Sequence, residues 1–273
     1  MEPHLIITDI DGTLAVDHQH VSPRTVAALN RAMDAGSRFF VATGRMYALA
    51  KIMADQVGPR AGVIGSNGAV YDFAGKRVHH LLGEEALRAV NAVTESHGLT
   101  AFYFSDETVY YTKTPPTFVE DALRVFEPSG LTVEVQAVGS IDNLLRHVGE
   151  ITNGIVISPR DAFGLKRSMS ELDASGLLHL SASNSDNMEL IPKGVDKSTA
   201  ITELQKLSGI PPERTIVFGD GMNDRGMLRK AGISVAMGNA VPAVKEIARY
   251  QTASNTEDGI ALFLERYFDW KQD

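Results

Sequence analysis

The sequence contains no cysteine, has no excess of positive charge and has no long apolar run. Without cysteine, disulfides, thiol catalysis and zinc–thiolate sites are excluded. A formal net charge of -8 at pH 7 argues against nucleic acid or an anionic membrane surface as a partner. No stretch approaches the roughly 18 consecutive apolar residues of a membrane span, and no basic flank precedes a long apolar segment at the N-terminus, so we expect no signal peptide. These absences predict a cytoplasmic protein.

The composition is that of a globular protein able to bury a full core, with 44% hydrophobic and 22% charged residues in a chain of 273. Apolar strand-like runs alternate with helical stretches at both ends of the chain, which is the pattern of a doubly wound, Rossmann-like parallel sheet. In between, hairpin-like strands and helices, including an element at residues 117–127, predict an inserted α+β domain. We therefore predict an α/β core at residues 1–82 and 188–273, with the α+β domain at residues 83–187.

The first predicted strand ends in two carboxylates, Asp9 and Asp11, followed by Gly12. Side chains at positions i and i+2 of a strand point the same way, so both leave the sheet on one side. Two like charges this close are relieved by a cation or a proton, and oxygen ligands favour a hard cation such as Mg²⁺. For a single Asp-x-Asp-Gly segment, a turn that caps the next element is the alternative interpretation.

Polar residues follow other predicted strands, and the carboxyl ends of parallel strands meet at one edge of such a sheet. Asp220 follows a strand in the last third of the chain, and together with Asp9 and Asp11 it predicts an oxygen cage for Mg²⁺. Thr43 and Gly44 follow the second strand and offer a hydroxyl and backbone N–H groups to an anion. Lys197 lies near a predicted helix start, where the helix dipole disfavours a cation, so we expect it to face a negative substrate. This constellation suits phosphoryl transfer through an aspartyl-phosphate.

Four segments in order, Asp9–Leu14, Ala42–Arg45, Lys197 and Gly219–Asp224, resemble the four motifs of the haloacid dehalogenase superfamily. The chain is most similar to the Cof-type (class IIB) phosphatases, whose further signatures match residues 66–69 and 194–197. The resemblance implies that the inserted domain is a cap that excludes water and sets specificity.

The resemblance also implies a role for each motif residue. Asp9 is the expected nucleophile and a Mg²⁺ ligand, and Asp11 is the expected general acid/base, with its backbone carbonyl on the metal. Asp220 is expected to bind Mg²⁺ as well, and Asp224 is expected at the metal site, where it orients the metal shell. The phosphoryl group is expected on Thr43, Gly44, Lys197 and Asn223. Asp11 favours phosphate over halide chemistry, since the second aspartate separates phosphatases from dehalogenases.

Two further residues allow two interpretations each. Arg45 either contacts the substrate or pairs with a core carboxylate. Asn67 either lies at the mouth of the site or forms the Asn-Gly turn. His18 and His20 lack paired spacing with carboxylates, which favours a solvated loop over a metal site.

We therefore predict Mg²⁺-dependent hydrolysis of a small phosphorylated metabolite, in particular a sugar phosphate, by a monomer or homodimer. A phosphomutase or other phosphotransferase, in which a second sugar accepts the phosphoryl group, is one alternative. A non-catalytic phosphosugar-binding regulator is another, although such a module has no need of Asp11.

Overall fold

The computed structural model describes residues 2–113, 133–182 and 185–270. Contacts divide the chain into two units, which we name the core unit (Met1–Arg45, Ala50–Arg77 and Lys197–Asp273) and the cap unit (Met46–Leu49 and Val78–Asp196). The predicted element at residues 117–127 lies outside the described residues. Within them, the longest and most apolar helices still fall short of what a membrane crossing requires.

The strands and helices alternate in the order expected for an α/β chain with an insertion. The strands are β1 Leu5–Thr8, β2 Arg38–Ala42, β3 Gly62–Gly65, β4 Val70–Phe73, β5 Lys76–His79, β6 Ala101–Phe104, β7 Thr108–Tyr111, β8 Glu134–Ala137, β9 Asn153–Ile157, β10 Leu178–Ser181, β11 Asn187–Pro192, β12 Thr215–Gly219, β13 Ile233–Ala236 and β14 Tyr250–Gln251. The helices are α1 Pro23–Asp34, α2 Tyr47–Val57, α3 Glu84–Ser96, α4 Ile141–Leu144, α5 Ala162–Ser175, α6 Lys197–Ser208, α7 Arg225–Lys230, α8 Pro242–Ile247 and α9 Gly259–Tyr267. Short helical turns lie at Ile10–Leu14, Ser66–Gly68, Leu145–His147, Pro212–Arg214, Met222–Asp224 and Asn255–Glu257.

The core unit is built on an eight-stranded sheet in the order β14-β13-β12-β1-β2-β3-β4-β5. β1 pairs in parallel with both β2 and β12, and its apolar residues Leu5, Ile6 and Ile7 are fully buried. This is why the first strand is a continuous apolar run, since a central parallel strand is covered on both faces. β4 runs antiparallel to β3, and a tight turn at Ala74 and Gly75 joins it to β5.

Helices of the core unit pack in two groups. α1 contacts α9, while α6 contacts α7, which in turn contacts α8. α1 begins as its sequence predicts: the Ser22 hydroxyl accepts a hydrogen bond from the Thr25 N–H, and Pro23 occupies the first position. The doubly wound α/β core with an inserted α+β cap is thereby confirmed.

The cap unit holds a six-stranded sheet in the order β10-β11-β9-β6-β7-β8, antiparallel except for the β7–β8 pair. Its hydrophobic core joins the sheet to α3 and α5, through Leu87 and Val90 on α3 and Leu165 and Leu172 on α5. Tyr103 on β6 is fully buried in this core. The cap unit therefore has a core of its own.

The predicted boundary at residue 188 would assign β11 to the core unit, but β11 pairs antiparallel with β9 and β10 in the cap sheet. Met188 and Leu190 belong to the cap's hydrophobic core. All six residues of β11 are buried, including the polar Asn187 and Glu189, and no sequence pattern in the strand shows which of the two sheets it joins. The chain returns to the core unit at Lys197.

Candidate active site

The carboxyl ends of the parallel strands carry the predicted site residues. Asp9 follows β1, Thr43 follows β2, Asn67 follows β3 and Asp220 follows β12. Since β12, β1, β2 and β3 are neighbours that run in the same direction, these positions share one edge of the core sheet. Residues more than 200 positions apart in sequence are brought to one site in this way.

A buried lysine links two buried carboxylates at this edge. Lys197, the first residue of α6, donates to Asp9 Oδ1 at 2.6 Å and to Asp224 Oδ1 at 2.9 Å. Asp9 is 6% exposed, Lys197 3% and Asp224 0%. Because all three charges are removed from water, the loss of one partner would leave a buried charge without compensation, so each group depends on the others.

The balance of charge around Asp9 is negative. Burial and the neighbouring charges of Asp224 and Asp220 raise the pKa of Asp9 to about 8, against the opposing effect of Lys197. Although burial alone lowers the pKa of Lys197, the charges of Asp224 and Asp9 raise it above its ordinary value. One lysine is therefore permanently charged, and it does not neutralise the carboxylates around it.

Asp220 and Asp224 are held by their own surroundings. Thr13 Oγ1 donates to Asp220 Oδ1 at 2.9 Å, and burial raises the pKa of Asp220. Asp224 Oδ2 accepts the backbone N–H groups of Asp220 and Gly221 at 3.0 and 3.1 Å. Gly12 has φ +76°, and a Cβ there would lie 2.4 Å from Asp220 Oδ2, so only glycine allows this approach.

The three carboxylates fit a hard cation. One oxygen each from Asp9, Asp220 and Asp224 can be chosen so that all lie within 4.8 Å of one another. Such an all-oxygen donor set, with an excess of negative charge, is what Mg²⁺ and similar ions require. The cluster is therefore suited to hold a metal ion.

Asp11 lies in a different environment from Asp9. Its carboxylate accepts Arg45 Nε at 3.0 Å on Oδ2 and Arg45 Nη2 at 2.5 Å on Oδ1, and His18 Nδ1 lies 2.9 Å from Oδ1. Burial acts to raise the pKa of Asp11, but the hydrogen bonds and charges of Arg45 and His18 outweigh it and hold the pKa below its ordinary value. Of the two alternatives for Arg45, the structure shows the pairing with a carboxylate.

The predicted phosphate-binding turn follows β2. Thr43 is buried, and its Oγ1 accepts the Arg45 N–H at 3.2 Å. The backbone of Asn67 donates to the Thr43 carbonyl at 2.9 Å, and a Cβ at Gly44 would lie 3.2 Å from the Asn67 amide. Asn67 is 4% exposed and has φ +55°, so it forms a left-handed turn and also lies against Gly44.

Asn223 is exposed, on the short helical turn Met222–Asp224. A Cβ at Gly221 would lie 2.6 Å from Asn223 Oδ1, so this amide lies directly over the glycine backbone. Its contact with phosphate stays a prediction, as do the other site roles.

Sequence reasoning missed three contacts of the site. Thr13 supports Asp220, His18 contacts Asp11, and Asn239 Nδ2 donates to the Gly12 carbonyl at 2.8 Å. Asn239 comes shortly after the end of β13, so the strand-end pattern that marked the other residues could have found it. The interpretation of His18 as merely solvated accounts for its exposure but not for its contact with Asp11.

Comparison with known proteins shows what the chain is similar to. The family model for haloacid dehalogenase-like hydrolases matches residues 6–264. The chain is 30% identical to the 5-amino-6-(5-phospho-D-ribitylamino)uracil phosphatase YitU of Bacillus subtilis (strain 168), over 98% of each chain. It is 27% identical to the pyridoxal phosphate phosphatase YbhA of Escherichia coli (strain K12), over 97% of this chain and 98% of that one. The solved structure of the HAD subclass IIB sugar phosphatase BT4131 superposes with a TM-score of 0.78 at 25% identity, over 97% of this chain and 99% of that one.

Proposed function

Because the chain belongs to the haloacid dehalogenase-like hydrolases, and is a phosphatase, we propose that it hydrolyses small phosphate monoesters with Mg²⁺ through an aspartyl-phosphate on Asp9. The observation that carries this proposal is the contrast between Asp9 and Asp11. Asp9 lies in a buried cluster with Lys197 and two further carboxylates, where a cation would keep it ionised as a nucleophile, whereas Asp11 lies between Arg45 and His18. Two carboxylates two residues apart in such different surroundings can serve as a nucleophile and an acid/base with separate tasks.

In the first half of the reaction, a carboxylate oxygen of Asp9 attacks phosphorus as the bond to the leaving oxygen breaks. Asp11 gives its proton to that leaving oxygen, which departs as an alcohol. Lys197 and the Thr43–Gly44 turn stabilise the charge on the phosphoryl oxygens. The negative charge of the incoming phosphate favours protonation of Asp11, which Arg45 and His18 otherwise keep ionised.

In the second half, a water molecule attacks phosphorus, the bond to Asp9 breaks and inorganic phosphate is released. Asp11 takes the proton of that water and is ready for the next cycle. Asp9, Asp220 and Asp224, with the backbone carbonyl of Asp11, would hold Mg²⁺. When bound, the cation supplies the positive charge that keeps Asp9 ionised beside a negatively charged substrate.

We propose a sugar phosphate or a similar metabolite as the substrate. The named activities of the relatives support this class, since they concern a phosphorylated ribityl compound, pyridoxal phosphate and sugar phosphates. All are small phosphate monoesters. We propose that the cap unit selects among them, as the resemblance implies.

The test is phosphate release from p-nitrophenyl phosphate and a panel of sugar phosphates, with Mg²⁺ and with EDTA. We expect Mg²⁺-dependent release that Asp9→Asn lowers at least about a thousandfold, because the nucleophile is lost. Asp55→Asn is the matched control, since Asp55 is exposed and, within the described part of the chain, forms its ion pair with Lys51 of its own helix. Full activity in Asp9→Asn would disprove the proposed mechanism. Transfer to an added sugar, instead of release, would point to a phosphotransferase.

A further inference from the structure

Three nitrogen atoms contact the carboxylate of Asp11, two of them at Oδ1 and one at Oδ2. Oδ1 receives Arg45 Nη2 at 2.5 Å and lies 2.9 Å from His18 Nδ1. Oδ2 receives only Arg45 Nε among the described residues, at 3.0 Å. Arg45 Nη2 also donates to the His18 backbone carbonyl at 3.1 Å, so the arginine joins Asp11 to the loop that carries His18.

The loop around His18 is fixed although the His18 side chain is exposed. Val16 donates to the His20 carbonyl, and Ala15 pairs with Val21, which closes a small hairpin. Gln56 on α2 donates to the Gln19 carbonyl at 2.7 Å and accepts the Val21 N–H at 3.0 Å. The loop is therefore anchored to the core unit at its base.

The backbone of His18 is strained in this loop. Its φ of +67° lies in the left-handed region, which a side chain such as histidine adopts infrequently. Such a conformation persists where the surroundings hold it, and it is common near functional sites. Here Asp17 Oδ1 holds the turn by accepting the N–H groups of Gln19 and His20, and the strained residue presents its ring to Asp11.

We propose that His18 is a positioning residue for Asp11, an inference that rests on the acid/base role of Asp11 in the proposed function. The Nδ1–H of His18 and Nη2 of Arg45 both donate to Oδ1, whereas Oδ2 accepts only Arg45 Nε among the described residues. Oδ2 is therefore the oxygen that gives and takes the proton. Hydrogen bonds from a second group narrow the orientation of a catalytic carboxylate, and proton transfer is sensitive to that orientation.

His20 provides the matched control, because it lies in the same loop and is also exposed. Its Nδ1 lies 2.8 Å from Asp17 Oδ2, and it has no contact with Asp11 among the described residues. His20→Ala removes the same number of atoms from the same hairpin and removes no donor to Asp11, while Asp17 keeps the two backbone N–H groups that hold the turn.

The first experiment compares two leaving groups. p-Nitrophenolate leaves without a proton, whereas an alkoxide needs the proton from Asp11. We expect His18→Ala to lower kcat/KM about tenfold for a sugar phosphate but by less than about twofold for p-nitrophenyl phosphate. His20→Ala should leave both values unchanged. An equal loss for both substrates would indicate a merely structural effect and would overturn the proposal.

The second experiment tests which ring nitrogen of His18 contacts Asp11. The Asn amide mimics the Nδ1 position of histidine, whereas the Gln amide mimics Nε2, so His18→Asn should recover most of the loss and His18→Gln should not. Equal values for the two variants would contradict the proposal.

A third measurement does not depend on turnover. Long-range ¹H–¹⁵N spectra of histidine-labelled protein should show a proton on His18 Nδ1 whose chemical shift changes in Asp11→Asn and stays constant in Asp55→Asn. A His18 Nδ1 without a proton overturns the positioning role. If the wild-type protein releases no phosphate, the proposed function fails, and these spectra still decide whether His18 donates to Asp11.

Discussion

The core and cap units are both mixed sheets with helices, yet they place polar groups differently. In the core unit, neighbouring strands β12, β1, β2 and β3 run the same way, so their carboxyl ends gather Asp9, Thr43 and Asp220 at one edge. In the cap unit, most neighbours are antiparallel, so each edge receives strand starts and strand ends alternately. Some of its polar pairs, such as His97 with Glu171, are partly exposed contacts between elements. A parallel sheet thus brings the polar side chains at its strand ends to one edge, whereas an antiparallel sheet distributes them over both edges.

The largest effect is expected from Lys197→Met, which breaks the buried charge cluster at this edge. The change leaves Asp9 and Asp224 without their shared cation, so the free energy of unfolding should fall by about 3 kcal/mol. Phosphate release should be lost as well. Urea unfolding at pH 7 in EDTA measures the fall in the free energy of unfolding, and added Mg²⁺ should restore part of the lost stability.

Lys206→Met serves as the control, because Lys206 is exposed in the last turn of the same helix. We expect its unfolding to match the wild type within about 0.5 kcal/mol. Equal stability of the two variants would show that the buried cluster contributes nothing.

An intermediate effect is expected from Gly12→Ala, compared with Gly75→Ala. Both glycines have φ +76°, so both changes carry the left-handed penalty of about 1–2 kcal/mol. At Gly75 a Cβ meets nothing within 4 Å, whereas at Gly12 it meets Asp220. Only Gly12→Ala should therefore raise the Mg²⁺ concentration that gives half-maximal phosphate release, and a similar rise in Gly75→Ala would disprove the steric explanation.

The smallest effect is expected in the cap's hydrophobic core, from Tyr103→Phe. The Tyr103 hydroxyl is buried and has no hydrogen-bond partner among the residues that the structure describes, so its removal should leave the free energy of unfolding unchanged or raise it by up to about 1 kcal/mol. Tyr110→Phe should instead lower stability slightly, since the Tyr110 hydroxyl donates to Glu150 at 3.0 Å. Thermal unfolding of the two variants distinguishes these cases, and a marked loss in Tyr103→Phe would reveal a partner for its hydroxyl.

Much of the core unit could be predicted because its signals are local. A buried apolar run followed by a polar turn marks each strand end, and the parallel topology then places those ends together without further information. Asp9, Thr43 and Asp220 were found in this way. The same pattern assigned β11 to the wrong sheet, because the sequence of this buried strand does not reveal which of the two sheets it joins.

The sequence did not predict the side-chain pairings of Arg45 and His18 with Asp11. The choice of Arg45 between the substrate and a carboxylate depends on the path of its side chain, and the sequence left both open. His18 contacts Asp11 from a loop in which it adopts a left-handed conformation, and the sequence does not show that this position adopts it. Local conformation that runs against residue preference is where reasoning from a single sequence fails.

The position of β1 between β2 and β12 also bears on how the protein is made. Leu5 pairs with Thr215, so during synthesis β1 keeps one unpaired edge until more than 200 further residues have been added. At about 5–20 residues per second, that wait lasts roughly 10–40 s. Over this interval the nascent chain presents an apolar, open strand edge, the kind of surface on which other chains aggregate. The strand that precedes Asp9, the proposed nucleophile, thus presents an aggregation-prone edge in the newborn protein until β12 is made.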